Sequence, residues 1–209
     1  RGAVVLVTHG SFNPVHVGHV DMMLRAKAFL ESAGFSVAAG VMAITSARHI
    51  ESKGVEAFWD STRLRLLQLA CAAHPWLRHC DGAGVRVNSA RQLARQRLKA
   101  FQGLHGASTL TATVEGSDVF LRYTHAPDPG QLLLVVARQG ELSQARAKAH
   151  RLDANAQARV KILTPAAADV AAASSTRVRK VLEGDDADKR ARLARLCGDD
   201  VASALLDDE

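Results

Sequence analysis

Apolar residues in this chain fall into short β-branched runs, separated by stretches where they recur at helical spacing. Ala3 to Thr8 (AVVLVT) is almost continuously apolar, the pattern of a strand buried on both faces as in a parallel sheet. Over residues 18–33, Val20, Met23, Leu24, Ala28 and Phe29 trace a roughly helical stripe, which Gly34 ends. Phe35 to Thr45 (FSVAAGVMAIT) predicts a second strand, broken by Gly40. Ser61 is placed to cap a helix that turns Leu64, Leu67, Ala70 and Cys71 inward and ends before Pro75. Asn88 or Ser89 caps another, with Leu93, Leu98 and Phe101 inward. Strands follow at Leu110–Glu115, Leu132–Ala137 and Val160–Leu163, and Ser174 to Leu206 reads as short helices interrupted near Gly184 and Gly198. Strands alternating with helices predict an α/β fold, a Rossmann-like parallel sheet with helices on both faces and a short helical C-terminal part.

Size and composition narrow this picture. At 209 residues, with neither an internal repeat nor a clear linker, the chain reads as a single domain, 1–209, of which 174–209 is the helical C-terminal part. An apolar fraction of 47% with 23% charged residues excludes a disordered chain, a collagen and a coiled coil. The longest apolar runs, Val4–Val7 and Leu132–Ala137, fall far short of the roughly 20 residues that cross a bilayer, so no membrane association is expected. The net charge of +6 favours anionic partners without separating nucleic acid from small phosphate compounds. Basic clusters such as Arg91/Arg95/Arg97/Lys99 and Lys189-Arg190-Ala191-Arg192 read as solvated helix faces. Cys71, Cys80 and Cys197 form no C-x-x-C pair and read as reduced thiols of an intracellular protein, cytoplasm and nucleus not being distinguished. The chain starts at Arg1, so the lack of a signal peptide says little about location.

The chemistry concentrates at two places. Gly10-Ser11-Phe12-Asn13-Pro14-Val15-His16-Val17-Gly18-His19 lies between the first strand and the first helix. Gly10 lets the backbone turn and approach a ligand, and Gly18 keeps the helix entry slim. His16 and His19, three apart near a helix start, can point the same way, and a helix N-terminus favours an anion. Two imidazoles and a helix terminus make a site for phosphate oxygens. Near the other end, Ser174-Ser175-Thr176-Arg177-Val178-Arg179 opens a helix after the Ala-rich loop Pro165–Ala173. Its hydroxyls can cap the helix or donate to phosphate, and Arg179 adds a permanent forked cation.

The first segment resembles the H-x-G-H motif of the nucleotidyltransferase superfamily, in the G-S-F-N-P form of nicotinamide and nicotinate mononucleotide adenylyltransferases. The second resembles the I-S-S-T-x-[IV]-R signature of the same enzymes, with Ala173 in place of Ile. Gly116-Ser117-Asp118 resembles the family's G-x-D, and Arg138-Gln139-Gly140 its R-x-G. Lys53-Gly54 lines up roughly with a Lys-Gly that binds the acceptor's phosphate, and Arg63 is a looser match.

The resemblance implies transfer of AMP from ATP to a pyridine mononucleotide, giving NAD or its deamido form and pyrophosphate by direct in-line attack. It implies His16, His19 and Arg179 as catalytic residues. It places ATP on Gly10, Ser11, Phe12, Gly18, Gly116, Asp118, Ser174, Ser175, Thr176 and Arg177, and the acceptor on Lys53, Arg138 and Tyr123. Mg2+ is expected to be bound mainly through the ATP phosphates, with no dedicated protein metal site. The sequence departs from the family in its tryptophans. The animal-type enzymes stack the nicotinamide ring on tryptophans after the third strand and after G-x-D, whereas Trp59 and Trp76 both come earlier. After Cys80 comes Asp81-Gly82-Ala83-Gly84-Val85-Arg86 without an aromatic. After Asp118 come Phe120, expected in the core, and Tyr123, the better ring platform. Two alternatives stay open: a sister nucleotidyltransferase with a phosphopantetheine-like acceptor or CTP, and a non-catalytic nucleotide- or RNA-binding module. Nucleic acid is the less favoured partner, since no basic patch is interleaved with aromatics. A homo-oligomer is compatible with the sequence, which carries no interface signal.

Overall fold

The computed structural model describes residues 2–80, 109–123, 126–128, 130–165, 167–185 and 187–207. In chain order the elements are β1 (Ala3–Gly10), α1 (Val17–Ser32), β2 (Ser36–Ile44), α2 (Ala47–Glu51), α3 (Asp60–Ala72), β3 (Leu77–Cys80), β4 (Leu110–Gly116) and α4 (Ser117–Arg122). They continue with β5 (Gln131–Val136), α5 (Leu142–Ala149), α6 (Ala154–Arg159), β6 (Val160–Leu163), α7 (Ala168–Ala171), α8 (Ser175–Leu182), α9 (Lys189–Cys197) and α10 (Asp199–Asp207). The helix expected after Asn88 or Ser89, the Asp81–Arg86 stretch and the Arg91–Lys99 cluster lie outside the described residues.

The strands form one parallel sheet in the order β3-β2-β1-β4-β5-β6, a Rossmann-like α/β fold with a helical C-terminal end. The chain winds outward in one direction from β1 and in the other from β4. Between those two strands the loops at the carboxyl ends diverge and leave a crevice, the place where open parallel sheets bind ligands.

Alternation along the strands builds the core. Val4 and Leu6 of β1, Ala112 and Val114 of β4, and Leu134 and Val136 of β5 join one large cluster with α1, α3 and the C-terminal helices. Val5 and Val7 face the other way, with Val41, Ala43 and Cys80. Phe120 of α4 and Ala145 of α5 cover Leu133, Val135 and Val160 on that side. Burial on both faces is why these strands read as unbroken apolar runs.

The structure corrects several expectations. Helix α1 buries Met23, Ala26 and Leu30, at i, i+3 and i+7, whereas Leu24 and Ala28 point outward. The stripe is therefore rotated from the expected one, because Leu24 lies a full 100° step round from Met23. Helix α3 starts at Asp60 with Trp59 as N-cap, so Ser61 is in its first turn rather than its cap. The Ala-rich loop carries the single-turn helix α7. Strand β3 (LRHC) was not predicted, since it is four residues long and exposes Arg78 and His79.

Strand β2 runs straight through Gly40. The irregularity in its pairing with β1 is earlier, where the partners jump from Val37 to Ala39. Gly40 instead accommodates a neighbour: a Cβ there would lie 2.4 Å from Cζ3 of Trp76 and 2.7 Å from Cδ1 of Leu77. All three cysteines are buried thiols outside any disulfide, and burial raises Cys71 to about 11 and Cys197 to about 12, so both stay protonated near neutrality. No helix among the described residues is long and apolar enough to cross a membrane. Gly40→Ala is expected to destabilise the fold by about 1–3 kcal/mol, the usual cost of overpacking. Urea unfolding checks this, and an unchanged midpoint would show that the Trp76 ring moves aside freely.

Candidate functional site

The site is built on the carboxyl ends of β1, β4, β5 and β6, beginning with the loop from Gly10 to His16. Four carbonyl oxygens of this loop are already engaged. That of Gly10 accepts from Thr45 N–H (2.9 Å) and that of Ser11 from Arg63 Nη1 (2.7 Å). That of Asn13 accepts from Arg179 Nη1 and that of Pro14 from the Ser175 hydroxyl (2.8 Å). Each of these oxygens thus faces a donor of the protein, which fixes the path of the loop. Phe12 adopts φ 40, a left-handed backbone rare outside glycine, and its ring is buried. The ring lies 3.1 Å from where a Cβ on Gly10 would be, and meets His19 edge-on at 4.8 Å between centroids. Gly10 is thus needed for the approach of Phe12, and Phe12 reaches the site through His19.

His16 and His19 cap α1 reciprocally. Gly18 N–H donates to His16 Nδ1 and His16 N–H donates to His19 Nδ1, both at 3.2 Å. Their rings stand 3.6 Å apart at 37°. Burial, with the Arg138 guanidinium as the second cause, pushes the His16 imidazole down to about 4. Burial, His16 and Arg138 together hold His19 well below the ordinary histidine range. Both rings are therefore neutral near pH 7. With each Nδ1 accepting a backbone N–H, each proton resides on Nε2. The motif thus presents two neutral Nε2–H donors at a helix N-terminus, an arrangement suited to anionic oxygens.

The other expected residues divide into those the structure gathers near this pair and those it does not. Gly116 ends β4 and is the N-cap of α4; a Cβ on it would sit 2.6 Å from Oδ1 of Asp118. Asp118 pairs with Arg138 (3.2 Å), whose charge reaches both imidazoles. Buried Ser117 fixes the loop between them, donating to Glu141 Oε2 and accepting from Arg138 N–H (2.8 Å). Ser174 caps α8 by accepting from Arg177 N–H. Arg177 reaches back to the Ala172 carbonyl, and Arg179 joins Thr176 Oγ1 (3.4 Å) to the Asn13 carbonyl. The proton of the Ser175 hydroxyl goes to Pro14, so that side chain docks α8 on the loop. Helix α7 closes over the start of α1, with the Val170 carbonyl 3.5 Å from where a Cβ on Gly18 would be. Lys53 is exposed on the turn after α2, and among the described residues it joins none of these groups by hydrogen bond or ion pair. The Tyr123 ring is exposed beyond the C-terminal end of α4, whereas Phe120 is fully buried.

The sequence reading underestimated Arg63. Its guanidinium is completely buried, and it donates to the carbonyls of Ser11, Thr45 (2.8 Å) and Phe58 (3.2 Å) and to the Asp60 carboxylate (2.5 Å). Asp60 also accepts from Ala47 N–H at the start of α2. Asn13 works alongside, with Nδ2 donating to the Glu56 carbonyl (2.8 Å) and Oδ1 accepting from Phe58 N–H (2.9 Å). The available signal was spacing: Arg63 is three and four residues before Leu66 and Leu67, on the inward face of α3.

Two outcomes follow from this geometry. Arg63→Met leaves buried carbonyls unpaired and is expected to cost about 3–5 kcal/mol in a urea titration, with Arg63→Lys recovering only part because a point charge cannot serve three directions. The lowered histidines make the fold acid-sensitive. The folded His16 value of about 4 lies below its ordinary 6.5, so this contribution is complete above 6.5 and is lost as pH falls through 4. Stability measured from pH 7 down to pH 4 should fall, and less steeply for His16→Asn; equal slopes would remove His16 from the effect.

Comparison with known proteins agrees with this arrangement. No curated protein matches the chain. The model of the cytidylyltransferase-like family matches residues 7–181, from within β1 to the end of α8, and so includes both end motifs and the crevice between them. The chain belongs to the cytidylyltransferase-like family, a nucleotidyltransferase family.

Proposed function

We propose that this protein is an adenylyltransferase that joins the AMP moiety of ATP to a pyridine mononucleotide, nicotinamide or nicotinate mononucleotide. The observation that carries the reading is the neutral His16–His19 pair with both Nε2–H groups free to donate, set among cations that are already oriented. An oxygen of the acceptor's 5′-phosphate bonds to the α-phosphorus of ATP, the bond to the bridging oxygen breaks, and pyrophosphate leaves with that electron pair. No protein nucleophile takes part. Charge on the α-phosphate oxygens grows along this path, and the two imidazoles donate to them in a geometry fixed beforehand. Arg179, the Ser174 and Thr176 hydroxyls and the α8 N-terminus hold the leaving pyrophosphate, with Arg177 beside them. Asp118 takes the ribose hydroxyls, and Arg138 bridges that carboxylate to the imidazole pair.

Magnesium belongs to the substrate in this reading. Most groups gathered at the crevice are N–H and O–H donors, which match phosphate oxygens, with the Asp118 carboxylate beside them. A divalent ion arrives on the triphosphate, with phosphate and water as its ligands.

A second reading, a sister enzyme with another phosphate-bearing acceptor or with CTP, is favoured by one observation. Phe120, the first aromatic after Asp118, is fully buried and offers no ring face to an acceptor.

Pyrophosphate release tests both. MgATP and MgCTP are each offered nicotinamide mononucleotide, nicotinate mononucleotide or phosphopantetheine. Release is expected with ATP and a pyridine mononucleotide. Release only with CTP or phosphopantetheine would replace the first reading by the second. His19→Ala is expected to lower kcat by about 100-fold while ATP affinity changes little; an unchanged kcat would remove His19 from the mechanism.

A further inference from the structure

The loops after β4 and β5 are joined by a closed ring of three hydrogen bonds. Arg138 N–H donates to Ser117 Oγ (2.8 Å), the Ser117 hydroxyl donates to Glu141 Oε2 (2.5 Å), and Glu141 N–H donates to the Arg138 carbonyl (3.0 Å). The directions are forced. A backbone N–H can only donate, so the hydroxyl accepts from Arg138 and turns its one proton to the carboxylate. Gly140, at φ 85, bends the chain between Arg138 and Glu141 so that the ring closes. Ser117 is fully buried, and a hydroxyl–carboxylate bond is among the stronger kinds.

Both partners of the Asp118–Arg138 ion pair hang from this ring. Asp118 follows Ser117 in the chain, and Arg138 is a member of the ring. The ion pair cannot place itself. The Asp118 and Arg138 side chains are 40% and 65% exposed, and charges so open to water hold no fixed geometry on their own. At the other end of α4, Lys148 donates to the carbonyls of Phe120 (2.7 Å), Leu121 (3.0 Å) and Tyr123 (3.1 Å). Helix α5, with Glu141 as its N-cap and Lys148 in its last turn, thus grips α4 at both ends. Glu141 is the grip at the end that carries Asp118.

We propose that Glu141 is a positioning residue, which through Ser117 fixes the Asp118 carboxylate and Arg138 for the ribose hydroxyls of the nucleotide. This rests on the placement of the ribose on Asp118 in the reading above. Affinities for MgATP and for the magnesium complex of 2′,3′-dideoxy-ATP, which lacks both hydroxyls, are measured by calorimetry without acceptor. The wild type is expected to prefer ATP by about tenfold or more, the scale of a hydrogen bond to a charged group. Glu141→Ala should bring that ratio close to one. Glu141→Gln, whose amide oxygen still accepts from the hydroxyl, should keep most of it. Ser117→Ala opens the same ring at the hydroxyl and should match Glu141→Ala. A ratio that survives in whichever alanine variant folds, even with both affinities lowered together, marks a merely structural role and overturns the proposal while the ribose placement stands. A wild type that binds the two nucleotides equally overturns that placement and the proposal with it. Binding of neither nucleotide overturns both the adenylyl reading and the proposal. Since no acceptor is present, a failed reaction with pyridine mononucleotides leaves the ratio readable, and the proposal stands or falls on the ratio alone.

Discussion

A single buried cation organises the half of this molecule that carries the two-histidine loop. The Arg63 guanidinium lies wholly inside the fold, and backbone carbonyls solvate most of it in place of water. Those carbonyls belong to three segments far apart in sequence: the loop after β1, the end of β2 and the entry to α3. Among the described residues Asp60 contributes the full countercharge, and its side chain is about half exposed, so the ion pair alone cannot offset the desolvation of Arg63. The charge is tolerable only while all three segments are in place. The three segments are in turn held together by having one set of donors to share. Tertiary order and charge burial are therefore the same event here.

The same logic extends outward to the crevice. Arg179 and Ser175 hold the loop from its far side, and Asn13 ties it to Glu56 and Phe58. Each of these contacts satisfies a donor or acceptor of the loop and fixes its backbone. Burial, with the Arg138 guanidinium adding to it from a distance, holds the imidazoles uncharged near neutrality. Electrostatic preorganisation of this kind needs little rearrangement when charge develops during reaction.

How much of this was legible in the sequence follows from the range of each interaction. Strand β1 and the loop after it were legible because a strand buried on both faces is an unbroken apolar run, and because the glycines and histidines act over ten residues. The start of α8 was legible for the same reason, since Ser174 caps only its own helix. Strand β3 was not, because Arg78 and His79 interrupt any apolar signal. The burial of Arg63 was hidden because its carbonyl partners, at residues 11, 45 and 58, are backbone groups that leave no mark on residue identity. The coupling of Arg138 to His16 crosses more than a hundred residues and appears only when β1 and β5 flank β4.

Phe12 shows what such a site demands of one position. Its left-handed backbone at φ 40 costs a non-glycine residue about 1–2 kcal/mol. Glycine would remove that cost and also the ring that braces His19; leucine would keep bulk and lose the aromatic edge. Backbone comfort and side-chain shape pull toward different residues. The sequence space open at this position is accordingly narrow, and drift there is constrained by a conflict between two local requirements.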